Sequence, residues 1–507
     1  MALKSLQFPT TVYKVVQPWE PREAEGRAAE SGRGRHLAVL PLTNISPDPN
    51  DECFADGLTE ELISVLSQVR DLSVIARTSV APYKSASKSI AQIGAELGVD
   101  TVLEGSVRKA GKRIRITLQL VDVTTQGHIW ASAYNREIDD VFAVQTDIAD
   151  RTAVALRLEL AKLTGSGALR KPTANPVAYD LYLRGLVAAR KSAQNGMEEA
   201  VGCFEQATRL DPNFAEAYAA WANLYVALAG DHVSMQEVMP RARELAGRAL
   251  QLDPESSEAH ATLANIALQF DHDWPRAEAE FQTAIALNPN NVTAHRYYGL
   301  LLNSLERFDE AKEVLRRAIR LDPGGGHQRP LAWCELLSGN FEPAIRYVEE
   351  ERDQNPSSVL AHVYLGLFYL AAGRREDALK EAETPLAGAS YLERFDHALL
   401  NALVERPDEA RAVLEEAERG AAGSYNSSTD LAMLYSAIGE KERALTLLEK
   451  DLKGGDQVLW LYYRGQCFDP IRNDPRFLSL LRQYGVPSQP QRLPTPSGAA
   501  VDGPGPG

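Results

Sequence analysis

The run Lys112–Val121 alternates strictly, with Ile114, Ile116, Leu118 and Leu120 on one side and Arg113, Arg115, Thr117 and Gln119 on the other. A period of two predicts a strand with one face on a core and the other toward water. The apolar runs His36–Leu42, Leu72–Ile75, Thr101–Arg108 and Gly127–Tyr134 predict further strands. Between them the period changes. Leu58, Leu62, Val65, Leu66 and Val69 recur at spacings of 4, 3, 1 and 3, one face of a helix that Asp56 is placed to cap. Ile90–Leu97 predicts a second helix, stopped by Gly98 in the C′ position. Gly111 marks a tight turn, and Gly105 inside a strand pattern predicts a bulge or a close backbone approach. Phe142–Leu163 predicts a long amphipathic helix. Hairpin-linked strands with helices on one side predict a mixed α/β sheet over residues 36–165.

From residue 175 to 485 the pattern is helical, punctuated by Leu210-Asp211-Pro212, Leu252-Asp253-Pro254, Leu287-Asn288-Pro289, Leu321-Asp322-Pro323 and Gln354-Asn355-Pro356. The prolines step by 42, 35, 34 and 33 residues. Six residues past them stand Tyr218, His260, His295 and His362; nine past, Trp221, Leu263, Tyr298 and Leu365; ten past, Ala222, Ala264, Gly299 and Gly366. The small residue lets one helix approach its neighbour and the large ones fill the groove beside it. Because the three histidines share a slot with Tyr218, they are read as packing residues and not as a metal site. Gly339 and Gly373 fall in the turns between helices, and the alanine pairs Ala277/Ala284 and Ala311/Ala318 are 7 residues apart in second helices. Looser units over Ala178–Leu210, Phe395–Ala417 and Leu431–Leu452 bring the count to about eight, and Phe477, Leu478, Leu480 and Leu481 are expected to cap the end. The spacing and the phased residues resemble the tetratricopeptide repeat family over residues 175–455. The resemblance implies a right-handed superhelix that binds a protein or peptide on a concave face lined by first helices. Carried over residue by residue, that face holds Glu216, Ala219 and Asn223, then Glu258, Ala261 and Asn265, then Thr293, Arg296 and Leu300. The expected partner-binding residues are Glu216, Asn223, Glu258, Asn265 and Arg296. Ala219 and Ala261 stand where relatives that clamp a carboxylate carry lysine, so no such clamp is expected.

A chain of 507 residues is too long for one core, in keeping with two domains. A net charge of −15 opposes general nucleic-acid binding and contact with anionic membranes. Cys53, Cys203, Cys334 and Cys467 form no CxxC pair and read as buried reduced thiols. With no apolar leader after Met1 and no run of the ~18 apolar residues a span needs, the expected location is cytoplasmic.

Leu37–Leu42, Phe54–Leu62, Val74–Ser79, Leu97–Val99, Val102–Arg108, Arg113–Thr117 and Ile129–Ala131 together resemble the TolB amino-terminal-like, or FlgO-like, domain of bacterial signalling proteins. That resemblance implies a non-catalytic α/β domain. The expected fold is therefore α/β plus all-α: a mixed-sheet TolB-like domain over 36–165, then a tetratricopeptide-repeat superhelix over 175–455, a capping helix within 456–485 and a disordered tail over 486–507. Leu3–Val16 resembles the last strand of a class III nucleotide cyclase domain, so residues 1–35 read as a strand remnant and linker. Glu104, Arg77 and Arg108 are expected to form an ion pair, Arg108–Arg113 a basic, solvated hairpin tip, Asp271–Asp273 a solvated loop, Gly324–Gly326 a flexible turn, and Gly423-Ser424 the opening of a unit. No phosphate loop, HExxH or GxSxG occurs, so neither enzyme activity nor a cofactor is expected. The chain reads as a non-catalytic scaffold or regulatory module of bacterial signal transduction. Two alternatives stand beside it: the C-terminal part of a class III adenylate cyclase, and an envelope-associated TolB-like protein.

Overall fold

The alternating run is the second strand of an antiparallel meander. The computed structural model describes residues 35–48, 51–69, 72–85, 88–111, 113–137, 148, 173–190, 194–229, 233–386, 389–419, 428–454 and 465–483, all within one folded unit. The strands are β1 (Arg35–Val39), β2 (Thr43–Asn44), β3 (Leu72–Val74), β4 (Thr101–Ala110), β5 (Arg113–Asp122) and β6 (His128–Glu137). Their order is β3-β1-β4-β5-β6, with β2 beside β4. β1 runs parallel to β3 and β4, whereas β4, β5 and β6 are antiparallel. In β5 the four apolar residues are buried while Arg113 and Arg115 are exposed. A Cβ on Gly105 would stand 2.1 Å from the Thr117 carbonyl oxygen, and the β4–β5 register runs through it unbroken. Close backbone approach, and not a bulge, is the reason for glycine there.

Helix α1 (Glu52–Ser67) starts earlier than the sequence suggests, with Asp51 at its N-cap. Asp56 lies inside it and binds Arg77 at 2.9 Å and Lys84 at 2.7 Å instead of capping. A short helix α2 (Arg77–Val80) follows β3, and α3 (Ile90–Leu97) opens on a Ser89–Gln92 capping box and closes on Gly98 at φ +65°. α1 packs with Leu37 and Val39, whereas Ile93 and Leu97 of α3 pack with Ala38 and Val102. Helices therefore cover both faces of the sheet, not one. The reason is in β1, whose two alternating sets are both apolar and both need burial. Arg77 pairs with Asp56 and not with Glu104, so the ion pair expected at Glu104 and Arg108 does not form. Phe142–Leu163 lies outside the described residues apart from a buried Ile148, as do residues 1–34, Gly423-Ser424 and 486–507.

Eight helix pairs follow among the described residues. They are α4 (Pro176–Ala188) with α5 (Gln194–Leu210), α6 (Ala215–Leu228) with α7 (Met235–Leu252), α8 (Ser257–Ile266) with α9 (Trp274–Leu287), and α10 (Val292–Ser304) with α11 (Phe308–Leu321). Then come α12 (Gln328–Leu337) with α13 (Phe341–Gln354), α14 (Val359–Ala371) with α15 (Arg375–Glu381), α16 (Tyr391–Leu403) with α17 (Asp408–Glu418), and α18 (Ser428–Ala437) with α19 (Lys441–Gly454). Ser256, Asn291 and Ser358 cap first helices two residues past their prolines. The histidine slot has a physical basis: Nε2–H of His260, His295 and His362 donates to the carbonyl of its own unit's proline, at 3.2, 3.0 and 3.0 Å. Gly339 and Gly373 turn between helices at φ +86° and +75°. A last helix, α20 (Pro475–Gln483), buries Phe477, Leu480 and Leu481 against the array, with Leu478 half-buried. Among the described residues no helix is long and apolar enough to cross a membrane.

Candidate binding groove and interdomain cavity

The α/β domain is fastened to the helical array at two places. At the first, α1 crosses α4. Gly57 permits the approach, since a Cβ there would lie 2.5 Å from Leu183 Cβ. Tyr182 Oη donates to Glu61 Oε1 at 3.0 Å, and Arg190 pairs with Glu60. Lys109, next to the turn of the β4–β5 hairpin, reaches Asp51 at 3.4 Å and Asp180 at 3.6 Å, so the basic tip is not merely solvated as expected. At the second, the junctions after α9 and α11 meet the β3 edge. Asn290 Nδ2 donates to the carbonyls of Ser67 at 2.7 Å and Leu72 at 2.9 Å, and Asn288 Nδ2 donates to Ser67 Oγ at 3.2 Å. Arg317 reaches Ser73 Oγ at 2.8 Å, and the amide of Ala76 donates to the Leu321 carbonyl at 2.7 Å. Ser79 Oγ donates to Asp322 at 2.6 Å and accepts from the Gly324 amide at 2.8 Å. Gly324–Gly326 is thus part of the seam and not only a flexible turn.

Between the two fastenings lies a cavity of about 470 Å³, walled by α1 and β3–α2 on one side and by α6, α8 and α10 on the other. Glu216, Asn223, Glu258 and Arg296 all line it, so four of the five residues expected on the concave face come together. The fifth does not. Asn265 is fully buried, its Oδ1 accepting from Gln269 Nε2 at a long 3.5 Å. Directly after it α8 passes into a π-helical turn over Ala267–Asp271, which changes the face presented at that end. Asp271–Asp273 is not a free loop either: Asp271 pairs with Arg243 and Asp273 caps α9. Among the described residues no group of His, Cys, Asp and Glu has the arrangement of a metal site.

The electrostatics of this cavity are set by burial. Glu61 is 6% exposed, and burial, followed by the nearby charge of Glu216, pushes its carboxyl up to about 8 despite the Tyr182 hydrogen bond. Burial also raises the Tyr182 hydroxyl, with Glu61 adding to it. Burial lowers the Arg77 guanidinium, opposed by Asp56. Burial alone would raise Asp322, but His327 and Ser79 hold it below the ordinary carboxylate range.

Farther along, the same helix positions remain uncovered by the α/β domain's seam. Trp333 and Tyr364 are each the sixth residue of their first helix and are half-buried, whereas Tyr297, at the same position of α10, still lines the cavity. Trp333 meets Tyr364 edge-on at 6.3 Å, and the Arg329 guanidinium stands 5.4 Å from the Tyr364 ring while pairing with Glu351. Sequence reasoning did not single out Trp333, Tyr364 or Arg329. The segment after Pro323 is two residues longer than in the other units and shifts α12 relative to its proline, so counting from that proline misses Arg329 and Trp333, whereas Tyr364, in an unshifted unit, falls at a slot that the count did not take in.

A family model described as tetratricopeptide repeat matches residues 271–326 and 335–390. A second, described as HilA/YgeH-like transcriptional regulator, second domain, matches residues 33–151. Putative adenylate cyclase 3 of Rhizobium meliloti is 41% identical over 184 residues, 36% of this chain and 31% of that protein. Anaphase-promoting complex subunit 3 of Schizosaccharomyces pombe is 24% identical over 190 residues, 37% of this chain and 27% of that protein. The matched stretches thus span about a third or less of these curated relatives. Among solved structures, YrrB, a tetratricopeptide protein with an unusual peptide-binding site, is 20% identical with a TM-score of 0.30, covering 43% of this chain and 100% of that one. Residues 271–326 and 335–390 thus match tetratricopeptide repeats, the described helix pairs on either side are of the same repeat-like kind, and a mixed sheet precedes them.

Proposed function

We propose that this chain is a non-catalytic, partner-binding and regulatory part of a bacterial signalling protein, its α/β domain TolB-like and its repeats docking a protein or peptide on their concave face. One observation carries the reading. The first units of the array share their concave face with the chain's own α/β domain, while Arg329, Trp333 and Tyr364 lie beyond that seam as a stripe of aromatic and cationic side chains. Such side chains are what protein interfaces use as anchors. The match to the second domain of transcriptional regulators and the similarity to a putative adenylate cyclase both support a regulatory setting. The residues Glu216, Asn223, Glu258 and Arg296 belong, in this reading, to the part of the face that the α/β domain governs; Asn265 is set aside because it is buried.

The test is capture of binding partners by the purified chain, in parallel with a Trp333→Ala/Tyr364→Ala variant that keeps its helical signal. Loss of the same specific partner from the variant alone supports the docking stripe. Equal recovery by both removes it. A second reading, that the chain is part of a class III adenylate cyclase, is favoured by the 41% identity over 184 residues. Its test is cyclic nucleotide formation by the purified chain; activity above a blank would replace the non-catalytic assignment.

A further inference from the structure

The aromatic stripe runs on into a carboxylate. Asp396 is the sixth residue of α16, the position that Trp333 holds in α12 and Tyr364 in α14, and α16 packs against α14. Stacked units present equivalent positions in one row, so the three side chains share one face. Asp396 stands close enough to Tyr364 and Arg329 for its charge to act on both. It is half-buried, yet among the described residues it accepts no hydrogen bond and joins no ion pair. Arg329 is committed elsewhere: it binds Glu351 through Nε at 2.9 and 3.0 Å and through Nη2 at 2.6 Å. The other charges that act on Asp396 are negative, Asp430 from α18 and Glu393 from its own helix. Burial, followed by Asp430, pushes the Asp396 carboxyl up to about 7 against the opposing pull of Arg329. The next residue, His397, is engaged by Glu409 of α17 at 2.9 Å.

A half-buried carboxylate that ties no part of the fold together, beside a second acid, is costly unless a cation covers it. The residues leading to it suit such a cation. Trp333 and Tyr364 offer apolar surface to a long side chain and ring faces to its charge, and the carboxylate stands at the end of the row. The chain's net charge of −15 also draws basic partners toward it. We propose that the partner docked on the stripe is a peptide segment carrying a lysine or arginine, whose stem lies along Trp333 and Tyr364 and whose charged head is received by Asp396. The polarity is the reverse of a carboxylate clamp. This assignment rests on the reading of the stripe as a docking site and adds the chemistry of its occupant.

The experiment is selection of a phage-displayed library of random dodecapeptides on the immobilised full chain, then fluorescence polarisation with the acetylated synthetic form of the most enriched sequence. The expected result is a set of enriched sequences that share a lysine or arginine near an apolar residue. Asp396→Asn removes the charge and breaks no recorded contact within the fold, so it should melt no lower than the parent. It should weaken binding of the synthetic peptide by about tenfold or more, the size of one charge-assisted hydrogen bond. Glutamine in place of the peptide's basic residue should weaken binding to the parent by a similar factor and change binding to Asp396→Asn little. The cation needs the ionised carboxyl, so the parent's affinity is full above pH 7 and should fall about tenfold from pH 8 to pH 6, whereas that of Asp396→Asn should hardly move. Enriched peptides that depend on Trp333 and Tyr364 but carry no basic residue, or that bind Asp396→Asn as tightly as the parent, overturn the assignment and leave the docking stripe standing. No enrichment, or enriched peptides indifferent to Trp333→Ala/Tyr364→Ala, overturns both.

Discussion

The side-chain amide of Asn290 pairs with the edge of the sheet at Val74 much as a neighbouring strand would: its Oδ1 accepts from the Val74 amide at 3.4 Å while its Nδ2 donates to the Leu72 carbonyl at 2.9 Å. β3 is the sheet's outer strand, with β1 on its inner side. An uncovered edge offers unpaired N–H and C=O groups to other chains, and natural proteins cover or blunt it. Here one residue of a repeat junction does so. Arg317 holds the same amide oxygen at 3.2 Å, which fixes the orientation of the side chain.

Asn290→Ala should therefore loosen the seam without disturbing either half's own core. The loss is expected at about 1–3 kcal/mol, because buried backbone groups of Leu72 and Val74 are left without their partner. Hydrogen exchange followed by mass spectrometry should show faster exchange confined to β3 and its flanks. Unchanged exchange at β3 would mean that the amide contributes nothing to closing the edge.

Gly57 and Leu183 set the distance between α1 and α4. Gly57→Ala places a methyl group 2.5 Å from Leu183 Cβ and should cost about 1–3 kcal/mol. Leu183→Ala opens space on the facing helix, so Gly57→Ala should cost less in that background than in the parent. A double-mutant cycle from denaturant unfolding measures the coupling. Strict additivity would show that the two helices adjust freely and that the contact is not close-packed.

Local order was legible in the sequence where a period carries it. The alternation of Ile114, Ile116, Leu118 and Leu120 specified β5, and phase relative to each proline specified the first helices and the histidine slot. Docking of the halves was not legible, because it joins residues more than 200 positions apart, such as Val74 and Asn290. A trace of it was nevertheless present. The junctions that touch the sheet are the ones that depart from the common pattern: Leu287-Asn288-Pro289 continues into Asn290-Asn291, and Leu321-Asp322-Pro323 continues into three glycines. Asp56 was misplaced for a related reason. An aspartate before an amphipathic run caps a helix only if the helix starts there, and this one serves Arg77 and Lys84 instead. Asn265 and Asn223 occupy equivalent positions in sequence, but the π-turn after Ile266 has no repeat-wide signal to announce it.

Acid should act on the array through His295. It is 7% exposed, and burial pulls its imidazole down to about 4 from 6.5. Between those values the unfolded chain takes up a proton that the folded chain refuses, so this contribution is present above pH 6.5 and is lost as pH falls toward 4. The full effect is on the order of 3 kcal/mol. Tyrosine already occupies this slot as Tyr218, so His295→Tyr is expected to fold and to flatten the loss of stability between pH 6.5 and 4. Urea unfolding at those two pH values checks it; an undiminished loss in the variant would assign the acid sensitivity elsewhere.

Alkali should act on the seam through Glu61. Its folded-state value of about 8 lies above the ordinary 4.5, so the folded chain retains a proton that the unfolded chain has released. Stability from this group is complete below pH 4.5 and declines as pH rises through 8. At about 1.4 kcal/mol per pH unit, the decline is on the order of 5 kcal/mol. Once charged, Glu61 faces the charges of Glu216, Glu60 and Glu258, and the α1–α4 contact is where the repulsion is felt. Glu61→Gln keeps an acceptor for Tyr182 Oη and cannot ionise. The variant should match the parent near pH 5 and exceed it near pH 9, and limited proteolysis should cut the parent between its two halves more readily at the higher pH. If parent and variant lose stability in parallel from pH 5 to 9, Glu61 is not the titrating group and the seam owes its alkaline limit to another contact.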